Sequence, residues 1–278
     1  MKFNVLSRMC FLACMAFLPH CVTDDFNELA KGFVPVTPSQ AAEMASDQHA
    51  PDERREGITL LANSSFGGAP PYVAMYRDYV IEDGDALVRA AAIKALARYA
   101  QVSDAEIIVL WLPRSGSTSV QVRREAAIAL QRIHNPVVVG ELLRSLGDEN
   151  EDPAVRTFCA TALGQYPEDR VLIGLISSLD ANELSINLAA AQSLHILTGQ
   201  VFGIERYAWF DWYKQQREIG ADVFDANVLY QYPTFRFEPR WYDRFVFWEV
   251  RSEEKPDVPV GLDDPTRRST YDDDTVVQ

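Results

Sequence analysis

The feature that most constrains the fold of this 278-residue chain is an internal repeat. Four segments share the pattern V-R-x-x-A-x-x-A-L or a close variant of it, with small and apolar residues at helical spacing. They lie at 86–99, 120–133, 153–166 and 184–197, with Arg89, Arg123, Arg156 and Asn187 equivalent. A period of 31 to 34 residues is typical of stacked helix pairs, because one pair cannot bury its apolar face alone.

A second set of apolar segments lies between the copies at the same period, and it is richer in Leu, Ile and Val. These segments run over 72–81, 104–112, 137–146 and 170–179. The pair Asp152-Pro153 places a capping side chain before a proline in the first turn of a helix. We therefore predict an all-α fold, a right-handed α-solenoid of antiparallel helix pairs, with almost no β-structure before residue 220. An irregular alanine-rich helical bundle is the alternative.

Residues 152–164, DPAVRTFCATALG, resemble the repeat D-P-x-V-R-x-x-A-x-x-A-L-G of bacterial HEAT-repeat proteins of the phycobilisome-lyase type. A degenerate copy at 51–64 fits the same frame, with Arg54 at the arginine position. The resemblance therefore implies a domain of HEAT-like repeats over about residues 51–217.

The resemblance also implies a role for the polar residues of the repeat. In the family, the aspartate and the arginine of the motif hydrogen-bond between neighbouring repeats and hold the stack together. The matching positions in this chain are Asp152, Arg156, Arg89 and Arg123. Asn187 stands at the arginine position of the last copy.

An aromatic segment follows the last repeat. A T-G-x-x-F-G turn and an A-W-x-x-W sequence within residues 197–216 resemble the ending of many bacterial HEAT-repeat proteins. Trp209, Trp212 and Tyr213 lie on adjacent faces of one predicted helix. We expect them to cover the open end of the solenoid, because a terminal repeat has no neighbour to bury its apolar face.

The N-terminal residues predict export. Lys2 and Arg8 give a positive start to an apolar run over 9–18, which is long enough for a signal peptide and too short to span a bilayer. The run leads into L-x-x-C at Cys21, which resembles the lipobox of bacterial lipoproteins, whose cysteine is acylated. We therefore predict a signal peptide over 1–20 and lipidation of Cys21, which attaches the protein to a membrane of the cell envelope. The alternatives are an uncleaved anchor and a cleaved secretory signal that yields a soluble secreted or periplasmic protein.

Three further segments flank the predicted repeats. Residues 21–50 are expected to be a tether, with a short helix over 39–44. Residues 218–251 form an aromatic-rich extension, which we expect to fold back along the repeats because large rings must be buried. A partner-binding segment and a lipid-interface segment are the alternatives for this extension. Residues 252–278 carry many acids and prolines and are predicted to be a disordered acidic tail.

Charge and motifs limit the chemistry that the chain can perform. The formal net charge is −14, which argues against nucleic acid as a partner. The sequence has no glycine-rich phosphate loop, nucleophile elbow or H-E-x-x-H motif. Cys159, the only cysteine after residue 21, lies in an alanine-rich helix where a thiol is typically packing. We expect no catalytic residue, no metal site and no cofactor.

The sequence thus favours a non-catalytic scaffold that binds an unidentified protein partner at the bacterial envelope. The alternative is an enzyme accessory, or a lyase-like protein acting on a protein or a bound chromophore. That alternative follows from the family resemblance alone, and a fold by itself is a weak guide to activity.

Overall fold

The computed structural model describes residues 36–224, 228–233 and 256–262. The chain divides into two compact units, residues 1–38 with 238–250 and residues 39–237 with 251–278. The helical repeats lie in the second unit.

Eleven α-helices succeed one another in the described residues. They are α1 Pro38–Ser46, α2 Pro51–Ala62, α3 Pro70–Glu82, α4 Ala86–Ala97, α5 Asp104–Val109, α6 Val120–Ala129, α7 Val139–Gly147, α8 Pro153–Leu163, α9 Asp169–Ser178, α10 Leu184–Thr198 and α11 Arg206–Glu218. A 3₁₀ turn over Pro136–Val138 leads directly into α7. The described residues contain no β-strand, and their one β-bridge joins Ile133 to Val260.

The helices form two layers. Helices α2, α4, α6, α8 and α10 carry the repeated motif, and each packs against the next, so we call them the motif layer. Helices α3, α5, α7 and α9 form the second layer, and each packs against the motif helix that comes after it. This arrangement confirms the predicted all-α solenoid of helix pairs.

Small residues explain how the motif layer packs. Helix α4 buries four alanines along with Val88, Ile93 and Leu96. Between α8 and α10, the Ser193 hydroxyl donates to the Ala160 carbonyl over 2.7 Å, and a Cβ added at Gly164 would lie 2.8 Å from that hydroxyl oxygen. Side chains this small let neighbouring helix backbones approach closely.

Caps define where several motif helices begin. The Asp85 side chain accepts hydrogen bonds from the backbone of Leu87 and Val88, and Asp152 accepts one from Ala154. Helices α2, α3 and α8 have proline in the first turn, where its missing N–H costs nothing.

The helical stack begins earlier than the sequence predicted. The expected short helix at 39–44 is present as α1, but it is packed and not part of a free tether. Ala41 and Ala45 are buried, and a Cβ added at Gly57 would lie only 2.2 Å from the Ala45 backbone nitrogen. Glycine at position 57 is what allows α1 and α2 to come this close.

The C-terminal region also departs from the prediction of a disordered tail. Within 252–278, residues 256–262 lie against the turn that comes after α6. The His134 backbone N–H donates to the Val260 carbonyl over 2.8 Å, and the Val260 N–H donates to the Arg132 carbonyl over 2.9 Å. Most of the aromatic-rich extension, the rest of the tail and residues 1–35 with Cys21 lie outside the described residues.

Candidate functional site

A series of arginines links successive motif helices. The Arg54 side chain of α2 donates through Nε and one terminal nitrogen to the Asp83 carboxylate, over 2.9 and 3.2 Å. Its other terminal nitrogen donates to the Asp47 carbonyl over 2.6 Å. Asp47 lies before α2 and Asp83 lies before α4, so Arg54 links the loop before its own helix to the loop before the next motif helix.

The same geometry recurs two repeats later. Arg123 of α6 donates to both Glu151 oxygens over 2.8 Å, and its remaining terminal nitrogen donates to the Ser117 carbonyl over 2.8 Å. The Arg123 and Glu151 side chains are only 6% and 2% exposed. A two-pronged ion pair of this kind is among the strongest polar contacts in proteins.

The last two copies make weaker versions of this contact. Arg156 donates to the Leu146 carbonyl over 3.0 Å and lies 3.8 Å from the Glu183 carboxylate. Asn187, at the arginine position of α10, still donates to the Ala181 carbonyl over 3.1 Å. We call Arg54, Arg89, Arg123, Arg156 and Asn187 the arginine ladder.

Two residues of the motif differ from what the sequence implied. Asp152 does not pair with an arginine of the ladder, because its carboxylate caps α8 at the Ala154 N–H. The neighbouring Glu151 is the partner of Arg123 instead. Arg89 has no carboxylate partner among the described residues; its guanidinium donates to the Asp83 carbonyl and lies 3.9 Å above the Trp111 ring.

The sequence contains a signal for these carboxylates that the motif alone does not show. Asp83, Glu151 and Glu183 follow Arg54, Arg123 and Arg156 by 29, 28 and 27 residues. An acid that lies just before a motif helix, 27 to 29 residues after an arginine of the preceding copy, is the pattern that predicts these three pairs.

The loops at this edge enclose an open cleft of about 900 Å³. It is lined by two loops and the start of α6: Arg114, Ser115, Thr118, Val120, Arg123, Asp148 and residues 150–153. Arg114 spans the two loops by donating to the Asn150 carbonyl over 3.2 Å. The cleft is polar and carries both signs of charge, and so offers no single ligand chemistry.

The opposite ends of the motif helices carry a buried polar cluster, made of Gln131, His134, Gln165 and Tyr166. The His134 ring stacks on Tyr166 with centroids 4.8 Å apart, and Gln165 donates to the Leu130 carbonyl over 2.9 Å. The C-terminal residues cover this cluster. Tyr230 is buried beside Gln131, and burial raises the pKa of its phenol.

Replacing Gly261 by alanine is expected to release residues 256–262 from the repeats. Gly261 has φ +87°, and a Cβ there would lie 2.6 Å from Val102 Cγ2 and 2.8 Å from the His134 carbonyl. Backbone strain of this kind costs about 1–3 kcal/mol, so amide exchange at His134 and Val260 should accelerate about fivefold or more. Gly84→Ala is the control, because its Cβ would meet nothing within 4 Å. Unchanged protection in Gly261→Ala would contradict the prediction.

The aromatic end of the repeats is organised around one indole. Trp209 is fully buried, is the only buried residue of α11 and donates through Nε1 to the Gly203 carbonyl over 2.8 Å. Phe202 meets its ring edge to face at 4.9 Å. Trp212 and Tyr213 are partly buried against the same core.

The exposed side of α8 and α10, which we call the uncharged face, stands out in this acidic protein. Helix α10 contains no Asp, Glu, Lys or Arg, and the one charged residue of α8, Arg156, is buried. Leu184 and Leu188 of α10 are 59% and 55% exposed, one helical turn apart. The Thr157 hydroxyl donates to Ser185 over 3.1 Å and joins the two helices at this surface.

Cys159, His195 and His49 belong to residue types that often act in catalysis. Cys159 is fully buried, and burial raises the pKa of its thiol. His195 lies 3.0 Å from the Gln200 carbonyl, and His49 is exposed. In the described ranges, no group of His, Cys, Asp and Glu is arranged to hold a metal ion. Every helix there is also too short or too polar to cross a bilayer.

Comparisons with known proteins give one family match. Residues 108–195 match the family model described as HEAT repeats. No curated protein matches this chain.

Solved structures with similarity to this chain include two helical proteins. Human deoxyhypusine hydroxylase, in complex with glycerol, is 16% identical over 57% of this chain and 73% of its own, with a TM-score of 0.39. YibA of Escherichia coli is 18% identical over 64% of this chain and 81% of its own, with a TM-score of 0.33.

The family match and the observed architecture agree with each other. The matched residues run from α5 to α10, and the arginine ladder and the paired layers continue on the N-terminal side of them. Residues 108–195 therefore resemble HEAT repeats, and the described part of the chain that holds them has the fold of an α-solenoid.

Proposed function

We propose that this protein is a non-catalytic scaffold, exported and lipid-anchored at the bacterial envelope, which holds a protein partner on its uncharged face. The observation that carries the proposal is the exposure of Leu184 and Leu188 on a helix without charged residues. A surface that avoids charge in a chain of net charge −14 is suited to partner contact, because desolvating charges opposes association.

The rest of the fold supports a rigid platform. The ion pair of Arg123 with Glu151 joins α6 to the loop before α8, and the Ser193 hydroxyl joins α10 to α8. A surface that is already ordered loses little conformational entropy when a partner binds. The scaffold role therefore needs no group that reacts.

Leu188→Glu is expected to abolish recovery of the partner, because it places a charge in the middle of an apolar contact. Full-length protein, bound to a resin through a C-terminal tag, would be incubated with detergent-solubilised envelope and the bound proteins quantified by mass spectrometry. Ile173→Glu is the matched control, because Ile173 is 50% exposed but lies on α9 in the second layer.

The proposal requires a protein that the wild type and Ile173→Glu recover equally and that Leu188→Glu loses by about tenfold or more. Circular dichroism would check folding, since exposed substitutions usually change stability by less than about 0.5 kcal/mol. If all three proteins recover the same set in equal amounts, the uncharged face is not the binding surface.

The proposed attachment to membranes through Cys21 has its own test. The wild type should stay with membranes through a high-salt wash, because acyl chains and not charges attach it. Cys21→Ser should appear in the soluble fraction or accumulate as an unprocessed precursor. Cys14→Ser is the control and should leave localisation unchanged, because too few apolar residues precede it. A Cys21→Ser protein of mature size that still fractionates with membranes would refute lipidation at Cys21.

A further inference from the structure

The arginine ladder has one position without its acid. Arg54 and Arg123 each direct Nε and a terminal nitrogen at a carboxylate and the other terminal nitrogen at a backbone carbonyl. Arg89 also donates to a backbone carbonyl, that of Asp83, but through Nη2, the nitrogen that in Arg54 and Arg123 faces the carboxylate, and its buried Nε has no hydrogen-bond partner. A buried donor without an acceptor costs free energy, which an incoming acceptor would recover.

Ser117 occupies the position at which a carboxylate partner of Arg89 would be expected. The Asp83 carbonyl accepts from Arg89, and the Ser117 carbonyl accepts from Arg123, in each case from the arginine six residues later. The Asp83 carboxylate accepts a hydrogen bond from the Asp85 N–H over 2.8 Å. In the same way, the Ser117 hydroxyl oxygen accepts one from the Ser119 N–H over 3.2 Å. Ser117 therefore has the position of Asp83, with a neutral side chain in place of the charge.

The loop at this position carries no acid of its own. Residues 113–119, PRSGSTS, contain one arginine, four hydroxyl side chains and no acid. The corresponding loop before α4 contains Asp83 and Asp85. Arg89 is held over the Trp111 ring, so its guanidinium is already ordered before any ligand arrives.

From this geometry we infer a site for one small oxyanion, a carboxylate or phosphate group, bound by Arg89 beside the Ser117 loop. One oxygen of such a group would accept a hydrogen bond from the orphaned Nε–H of Arg89, and the permanently charged guanidinium would balance its negative charge. The anion would complete the ladder between α4 and α6 as Asp83 does between α2 and α4. The site is separate from the uncharged face and does not depend on the proposed scaffold role.

The test measures the thermal unfolding of the full chain against inorganic phosphate and, separately, acetate, with chloride holding the ionic strength constant. At tenfold excess over the Kd, we expect the wild-type Tm to rise by about 2–4 °C in a saturable manner. A response to phosphate alone assigns the site to phosphate groups, and a response to acetate as well assigns it to carboxylates too.

Three variants locate the effect. Arg89→Gln should remove the response, and Ser117→Glu should remove it as well, because the introduced carboxylate fills the position. Ser117→Ala should retain it, since it changes the same loop without adding charge. An absent response in the wild type, a response that persists in Arg89→Gln or Ser117→Glu, or a loss in Ser117→Ala would each overturn the inference.

Discussion

Replacing Trp209 by alanine is expected to lower the free energy of unfolding by about 3–5 kcal/mol. The indole is fully buried, packs against Phe202 and is the only side chain of α11 that is buried in the core. Its removal leaves a cavity and frees the Gly203 carbonyl from its hydrogen bond. Since the stability of a solenoid is a sum of repeat and interface terms, α10 should lose hydrogen-exchange protection before α2 and α4 do.

Tyr207→Ala on the same helix is the control for Trp209→Ala. Tyr207 is 77% exposed, so its truncation should change stability by less than about 0.5 kcal/mol. Urea unfolding gives the free energies, and hydrogen exchange gives the location of the loss. Unchanged protection over α10 in Trp209→Ala would show that α11 does not act as a cap.

The second large effect is expected at the ion pair of Arg123 and Glu151. Arg123→Met should destabilise the protein by about 3–5 kcal/mol, because it leaves the buried Glu151 carboxylate without its cation. The Ser117 carbonyl loses a donor in the same variant. The double variant Arg123→Met with Glu151→Leu should recover much of the loss, because it also removes the unpaired charge.

A comparison with an exposed ion pair separates the effect of burial on stability from the effect of losing a charge. Arg55 and Asp52 form an ion pair at 3.1 Å, with side chains 42% and 89% exposed. Arg55→Met should cost no more than about 0.5 kcal/mol in urea unfolding. If Arg123→Met is as mild as Arg55→Met, the ladder does not hold the repeats together in the way that its geometry indicates.

The two predictions concern different parts of the stack, the contacts between successive repeats and the C-terminal end. The ladder joins one repeat to the next at the loop edge, and we expect the buried Trp209 to close the last repeat. Loss of Arg123 should therefore weaken the middle of the domain, near α6 and α8, whereas loss of Trp209 should weaken its C-terminal end.

The sequence by itself determined the helix pairs, because helical periodicity is a local property. The recurrence of Val88, Val122, Val155 and Ile186 with alanines at fixed spacing was enough to place the motif helices within a few residues. The burial of Trp209 also followed from a local argument, since a terminal repeat must be covered.

Only the tertiary structure decided which polar groups meet. Glu151 and Asp152 are adjacent acids, yet one pairs with Arg123 and the other caps α8, because the turn before the helix directs their side chains differently. The attachment of Val260 to the turn at Ile133 joins residues far apart in sequence, and no local pattern encodes such a contact. The same holds for Arg89, whose missing acid becomes visible only when its geometry is compared with that of Arg54 and Arg123.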